Sequence, residues 1–169
     1  MKTLKLISLL ILVALQPQHL EGQSKFDSTR VSGLIRKLVQ QLQTDSFFFT
    51  NGTCKQLGKE THIKTLFEFI NLSKDFECLE LTKHPNPTIR CFSFQTLLGM
   101  KYPEIVDILE AHLLDTAQVS VIAGCSIASH NVIQVFVKAM SRGRESPEFW
   151  LDEKAIKKLI AIKRSIESQ

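Results

Sequence analysis

The sequence predicts an all-α domain built from short helical hairpins that stack side by side. Three observations carry this reading. Apolar residues recur at helical spacing along most of the chain, as in Val31, Leu34, Ile35, Leu38 and Leu42. Breaker-rich turns, His84-Pro85-Asn86-Pro87 and Asp115-Thr116, separate the apolar runs. A shift of 30 positions superposes the two turn regions, setting Ile89 on Val119, Leu79-Glu80 on Leu109-Glu110, Ser93 on Ala123 and Leu97 on Ile127. A period of roughly 20–50 residues signals repeat architecture, in which each hairpin buries its apolar face by stacking on the next.

The chain begins with basic Met1-Lys2-Thr3-Leu4-Lys5 and an apolar block over residues 6–15, LISLLILVAL. A bilayer of about 30 Å needs roughly 20 apolar residues, so the block is too short to span one. It reads as a secretory signal peptide, with Gly22 before the cleavage point. An uncleaved anchor is the alternative, and the apolar length counts against it. Residues 1–22 are thus expected as a signal and 23–169 as a single α-helical domain. The protein is expected to be exported, periplasmic or extracellular, with no stable membrane insertion after cleavage. At 169 residues, 44% hydrophobic and 22% charged, the chain is long enough for one core of its own.

In the remaining chain, Asp27-Ser28 can cap the first helix, whose far face carries Arg30, Arg36, Lys37, Gln40 and Gln41. Residues 45–59, DSFFFTNGTCKQLGK, interrupt the pattern. Asn51-Gly52 is a hairpin-turn signal, which predicts a small hairpin or loop insertion near residues 47–56. Phe47, Phe48 and Phe49 either plug the open end of a helical core or join Trp150 as a candidate contact surface. Helical spacing returns with Ile63, Leu66, Phe67 and Ile70, and continues after Ser73 with Phe76 and Leu79. The prolines at 85 and 87 force a turn, and Pro87 suits the first turn of the next helix. Pro103 starts another helix, whose stripe of Ile105, Ile108, Leu109, His112 and Leu113 points His112 inward as a hydrogen-bonded core residue. Arg90 is placed for a bond to a neighbouring turn, in preference to a bound anion. Asp115-Thr116 is expected to open the second copy, with Val119, Ile122 and Ser126 along a helix. The run from Val132 to Val137 is apolar nearly all round, as in a helix covered on two sides. Leu151-Asp152 opens a last helix through Ile156, Leu159, Ile160 and Ile166, with its lysines turned to water.

Export permits disulfides, and the four cysteines, Cys54, Cys78, Cys91 and Cys125, allow three complete pairings. If the chain reverses at Pro85, Cys78 and Cys91 reach similar heights on antiparallel helices, which makes them the preferred bridge. Small buried thiols left reduced are the competing reading. The net charge of +4 falls to about +3 once Lys2, Lys5 and Glu21 are removed. Lys154, Lys157, Lys158, Lys163 and Arg164 cluster, but Asp152, Glu153 and Glu167 flank them, so a solvated helix face is read there and no nucleic-acid partner is expected.

The residues Asn86-Pro87-Thr88-Ile89-Arg90 with Ser93 resemble short helical hairpins of the HEAT repeat class, of the phycocyanobilin lyase-like kind. Asp115-Thr116-Ala117-Gln118-Val119 with Ala123 and Gly124 matches the turn of that class but has Ser120 where the arginine would stand. The resemblance covers residues 74–129. It implies a short right-handed α-α superhelix with a curved surface for protein contacts, and no shared chemistry.

Catalytic signatures are missing from the sequence: no G-x-S-x-G elbow, no H-E-x-x-H, no phosphate-binding glycine loop and no paired-cysteine zinc spacing. His62, His84, His112 and His130 fall on different predicted elements, and Cys125 with His130 is a core thiol and a turn histidine before it is a nucleophile and base. Asn51-Gly52-Thr53 and Asn71-Leu72-Ser73 match the N-glycosylation acceptor. The expectation is a non-enzymatic, cofactor-free, metal-free interaction or scaffold module for a protein partner. A secreted helical-bundle ligand of cytokine type is the alternative, discriminated by the internal offset of 30 residues.

Overall fold

The computed structural model describes residues 25–44, 47–49, 60–123, 126–141 and 150–167. A 3-10 turn, Ser28–Arg30, leads into α1 (Gly33–Gln43), strand β1 (Phe47–Phe49), α2 (Glu60–Leu72), α3 (Asp75–Leu81), α4 (Pro87–Gly99), α5 (Ile105–Ala111), strands β2 (Gln118–Ala123) and β3 (Ser126–Asn131), α6 (Val132–Met140) and α7 (Glu153–Glu167). The chain is mostly helical, but the expected all-α class is corrected by a three-stranded sheet of order β1-β2-β3.

The helix starts follow from their caps. Ser32, one turn later than expected, caps α1 through Oγ, which accepts from the Ile35 N–H at 3.4 Å, while Asp27 caps the 3-10 turn. Asn86 Oδ1 accepts from the N–H groups of Thr88 (2.9 Å) and Ile89 (3.4 Å), and Pro87 occupies the first turn of α4, where a missing N–H costs nothing. Asp152 Oδ1 accepts from Ala155 N–H at 2.7 Å and starts α7. At its other end α4 closes with a Schellman motif. Tyr102 N–H reaches Leu97 O at 3.0 Å, Lys101 N–H reaches Leu98 O at 3.1 Å, and Lys101 sits at φ 56° in the left-handed region usually filled by glycine.

Helix α4 is the centre of the fold. Nine of its side chains are buried, from Thr88 to Leu98, and it touches α1, α3, α5, α6, β1 and β2. Phe94 stacks on Phe136 of α6 with ring centroids 3.9 Å apart and 12° between planes, and Phe92 meets Phe48 of β1 at 5.1 Å. The apolar run 132–137 is thus a helix covered on both sides, with Val132, Ile133, Val135 and Phe136 buried.

The second copy of the hairpin does not form. Ile89 lies on α4, whereas Val119, its partner at the 30-residue shift, lies on β2; Leu97 is helical and fully buried, whereas Ile127 is on β3 and 57% exposed. The reason is local. Gln118-Val119-Ser120-Val121 alternates polar and apolar residues with a period of two, and β-branched valine and isoleucine lose side-chain freedom in a helix. Val119 and Val121 turn into the core. β2 pairs antiparallel with β3, Gln118 opposite Asn131 and Ala123 opposite Ser126. β1 pairs parallel with β2, Phe47 opposite Ser120 and Phe49 opposite Ile122, so the triple phenylalanine joins a distant strand. Residues 50–56 of the expected insertion lie outside the described residues.

Candidate functional site

The turns that frame α4 meet at Arg90. Its guanidinium donates from Nη1 to the carbonyls of His84 (2.7 Å) and Pro85 (3.0 Å) and from Nη2 to Asp115 Oδ1 (2.9 Å), with Nε 2.8 Å from Asp115 Oδ2. His112, 4% exposed, places Nδ1 3.2 Å from Asp115 Oδ2 and its ring 5.2 Å from Phe136. Burial alone would raise the Asp115 carboxyl, but the hydrogen bonds from His112 and Arg90 and the Arg90 charge outweigh it and hold it below the ordinary carboxylate range. Arg90 therefore bridges two turns, as its position beside a helix start implies. Three of its five donor positions make hydrogen bonds inside the protein and Nε is buried against Asp115 in the ion pair, which leaves little for an anion.

His84 completes this junction. Its Nδ1 accepts from Asn86 N–H at 3.0 Å, its Nε2 lies 3.1 Å from Gln43 Nε2, and Phe26 meets its ring edge-on at 4.8 Å. Burial, with the Arg90 charge, depresses its pKa despite the Asn86 contact. Phe26, Arg36, Gln40, Gln43, Leu81 and His84 line a shallow cleft of about 190 Å³ there.

A second polar assembly grips the segment before α1. Glu77 and Glu80, each 2% exposed, stand one turn apart on α3. Glu80 Oε1 accepts from Asp27 N–H (2.8 Å) and its Oε2 from Arg30 Nη1 (3.1 Å) and Lys83 Nζ (3.4 Å). Glu77 Oε1 accepts from Ser32 N–H (2.9 Å) and its Oε2 from Lys74 N–H (3.0 Å). Burial pushes the Glu77 carboxyl up, and the bonds from Ser32 and Lys74 overcome it, so its pKa is lowered. Residues 27–32 are thereby strapped along α3. Sequence reasoning missed this pair. Glu77 had a signal, because glutamate at the third helical position is the reciprocal half of a capping box; Glu80 had none.

The sites expected from sequence do not converge. Phe48 is 3% exposed and plugs the core against Phe92, and Phe47 packs partly buried beside it. Trp150 is likewise partly buried against the core. Of the candidate contact residues Phe47, Phe48, Phe49 and Trp150, Phe48 thus takes the plug position, and for Phe49 only its backbone pairing is described. Cys78 and Cys91 are buried free thiols, not the expected bridge. Each fills a packing position in the α3–α4 core, and burial pushes the Cys78 thiol up to about 12 and raises the Cys91 thiol as well. Cys54 and Cys125 lie outside the described residues. Between α5 and α7 a cleft of about 270 Å³ is lined by Glu104, Asp107, Asp152, Lys154 and Lys158, and Lys158 is held there by Asp107 (2.5 Å) and Glu110 (2.7 Å). Among the described residues no three His, Cys, Asp or Glu side chains gather as a metal site, and no helix is long and apolar enough to cross a membrane.

No protein family, curated protein or solved structure matches this chain.

Among the described residues, large exposed apolar side chains are spread over the molecule, with Met100, Leu114, Ile127 and Ile160 on or beside α4, α5, β3 and α7 and five more on the first three helices. Leu34 (56% exposed) is in the first turn of α1, Phe67 (61%), Ile70 (36%) and Leu72 (50%) are on the outer side of α2, and Phe76 (47%) opens α3. The Ser32–Glu77 bond draws the start of α1 to the start of α3. Lys74 Nζ lies 5.8 Å above the Phe76 ring.

Proposed function

We propose that the protein is an exported, non-catalytic module that binds a protein partner through the corner formed by α1, α2 and the start of α3. The observation that carries this reading is the exposure of Leu34, Phe67, Ile70, Leu72 and Phe76 on three consecutive helices, with Lys74 over Phe76. Two phenylalanines about half exposed in a chain with a full core are costly to leave in water, and aromatic anchors dominate protein contacts. In this reading α3–α4 is a single HEAT-like hairpin that serves as scaffold, with Arg90 joining its turn to the next. The basic start and the apolar block at residues 6–15 support export.

The test compares tagged wild-type protein with a Phe67→Ser/Phe76→Ser variant, after chemical cross-linking in the native exported fraction. A partner captured by the wild type and lost with the folded variant is the expected result. An identical set of captured proteins overturns the assignment of the surface. Recovery of the wild type only from the cytosol, with residues 1–22 intact, overturns export.

A further inference from the structure

Of the chain's four asparagines, Asn51 lies outside the described residues and two others are engaged in the fold. Asn86 caps α4, and Asn131 accepts from Gln118 Nε2 across the β2–β3 ladder. Asn71 differs from both. It stands in the last turn of α2, which ends at Leu72, and its side chain is exposed and makes no hydrogen bond among the described residues. The helical period sets it on the side of α2 opposite buried His62 and Phe69, one turn after Phe67, with about 5–6 Å between Cβ atoms at that spacing. Asn71-Leu72-Ser73 is also an acceptor sequence for an N-linked glycan, with no proline at its centre. Ser73 is placed the other way: it is 6% exposed, and its Oγ donates to the Phe69 carbonyl at 2.6 Å, which closes the end of α2. The carboxamide faces outward, and the hydroxyl is withdrawn into the fold.

We propose that Asn71 carries an N-linked glycan, transferred during export and before the end of α2 closes. The donor is an oligosaccharide held on a lipid pyrophosphate carrier. Nδ2 of Asn71 forms a bond to the anomeric carbon of the first sugar, the bond from that carbon to the pyrophosphate oxygen breaks, and the proton lost from Nδ2 is matched by the charge of the released lipid pyrophosphate. The hydroxyl at the third position is part of the acceptor, so a Ser73 already bonded to the Phe69 carbonyl cannot serve. Transfer therefore comes first, and the same hydroxyl then closes the helix. In the folded chain a glycan at Asn71 leaves the outward side of α2, and no buried side chain has to move for it. An attached oligosaccharide is bulky and solubilising, and here it stands beside Phe67, which is 61% exposed. Its attachment rests on the export proposed above. It also bears on the proposed partner, because a glycan one turn from Phe67 limits how closely another protein can approach that ring.

The full chain, residues 1–169, is expressed in a eukaryotic secretory cell line and weighed before and after an endoglycosidase that leaves aspartate where a glycan was attached. The wild type is expected in the medium, to lose mass on treatment, and to show aspartate at position 71 by peptide mapping. Asn51→Gln and Ser73→Thr are expected to keep that signature, and Asn71→Gln and Ser73→Ala to lose it. Asn71→Gln changes an exposed side chain, and it decides the matter if Ser73→Ala does not fold. Secreted protein cleaved after residue 22 with Asn71 unmodified overturns the glycan and leaves export standing. A signature at position 71 that persists in Ser73→Ala also overturns it. Protein held in the cytosol with residues 1–22 intact overturns export, and the glycan with it.

Discussion

Replacing Arg90 by methionine keeps the length and apolar stem of the side chain and removes its fork. Lost with it are two bonds to the His84 and Pro85 carbonyls and the bidentate pairing with Asp115, whose side chain is 7% exposed. Removing one partner of a buried ion pair costs about 3–5 kcal/mol, because the other charge stays buried. His112 still holds Asp115 and softens the loss, which sets the expected cost at about 3 kcal/mol. For a chain of this size that lowers Tm by roughly 6–12 °C. The effect has a defined pH course. Asp115 has a depressed folded pKa, so its contribution is present above the unfolded value of about 3.9 and is lost as pH falls through the folded value. The gap between wild type and Arg90→Met should therefore be widest above about pH 5 and narrow below pH 4. Thermal unfolding by circular dichroism across this range, with a double-mutant cycle against Asp115→Asn, measures both. A cost under about 1 kcal/mol, or additive single effects in the cycle, refutes the bridging role.

Other outcomes follow from the same geometry. Glu80→Ala frees the strap: with Arg30 56% exposed its ion pair counts for little, and the Asp27 bond sets a loss of about 1–2 kcal/mol, seen as faster amide exchange at residues 28–32; unchanged exchange would count against the strap. Lys101→Gly relieves the left-handed backbone at the end of α4 and should raise stability by about 1 kcal/mol, read as a higher midpoint in urea; a lower midpoint contradicts the Schellman assignment. Phe136→Ala removes the stack on Phe94 in the core and should cost about 3–5 kcal/mol, measured by the same titration, with a loss under 1 kcal/mol excluding the stack as a core contact. Cys78 and Cys91 should resist a thiol reagent in the native state and react at once in denaturant; rapid native labelling at either would contradict their burial.

Much of the helical framework was legible because one residue type did one job at each point. Asn86-Pro87 had to cap and start a helix, the stripe through Ile35, Leu38 and Leu42 had to face inward, and Asp152 had to cap α7. The sheet was not legible for two physical reasons. β1 has three described residues and draws its partner from a distant part of the chain, so no local period announces it. In β2, the alternation of Val119 and Val121 competed with an apparent repeat of the α4 hairpin, and the resemblance of the turns outweighed the period of the strand. The junction at Arg90 was legible in part, from the turns that carry the donor and Asp115, whereas in the second assembly the buried Glu77 and Glu80 take their role from backbone N–H groups more than 40 positions away.

The parallel pairing of β1 with β2 also bears on how the chain reaches its native state. Phe47 meets Ser120 across a separation of 73 positions, and four helices lie between them. The cost of closing a loop grows with the logarithm of its length, while the helices and the β2–β3 ribbon form from near neighbours. The ordering this implies is a helical and hairpin nucleus first, with Phe48 entering its place against Phe92 last. Mutations at Phe48 should then accelerate unfolding and leave the refolding rate nearly unchanged, a kinetic signature of a late-arriving strand.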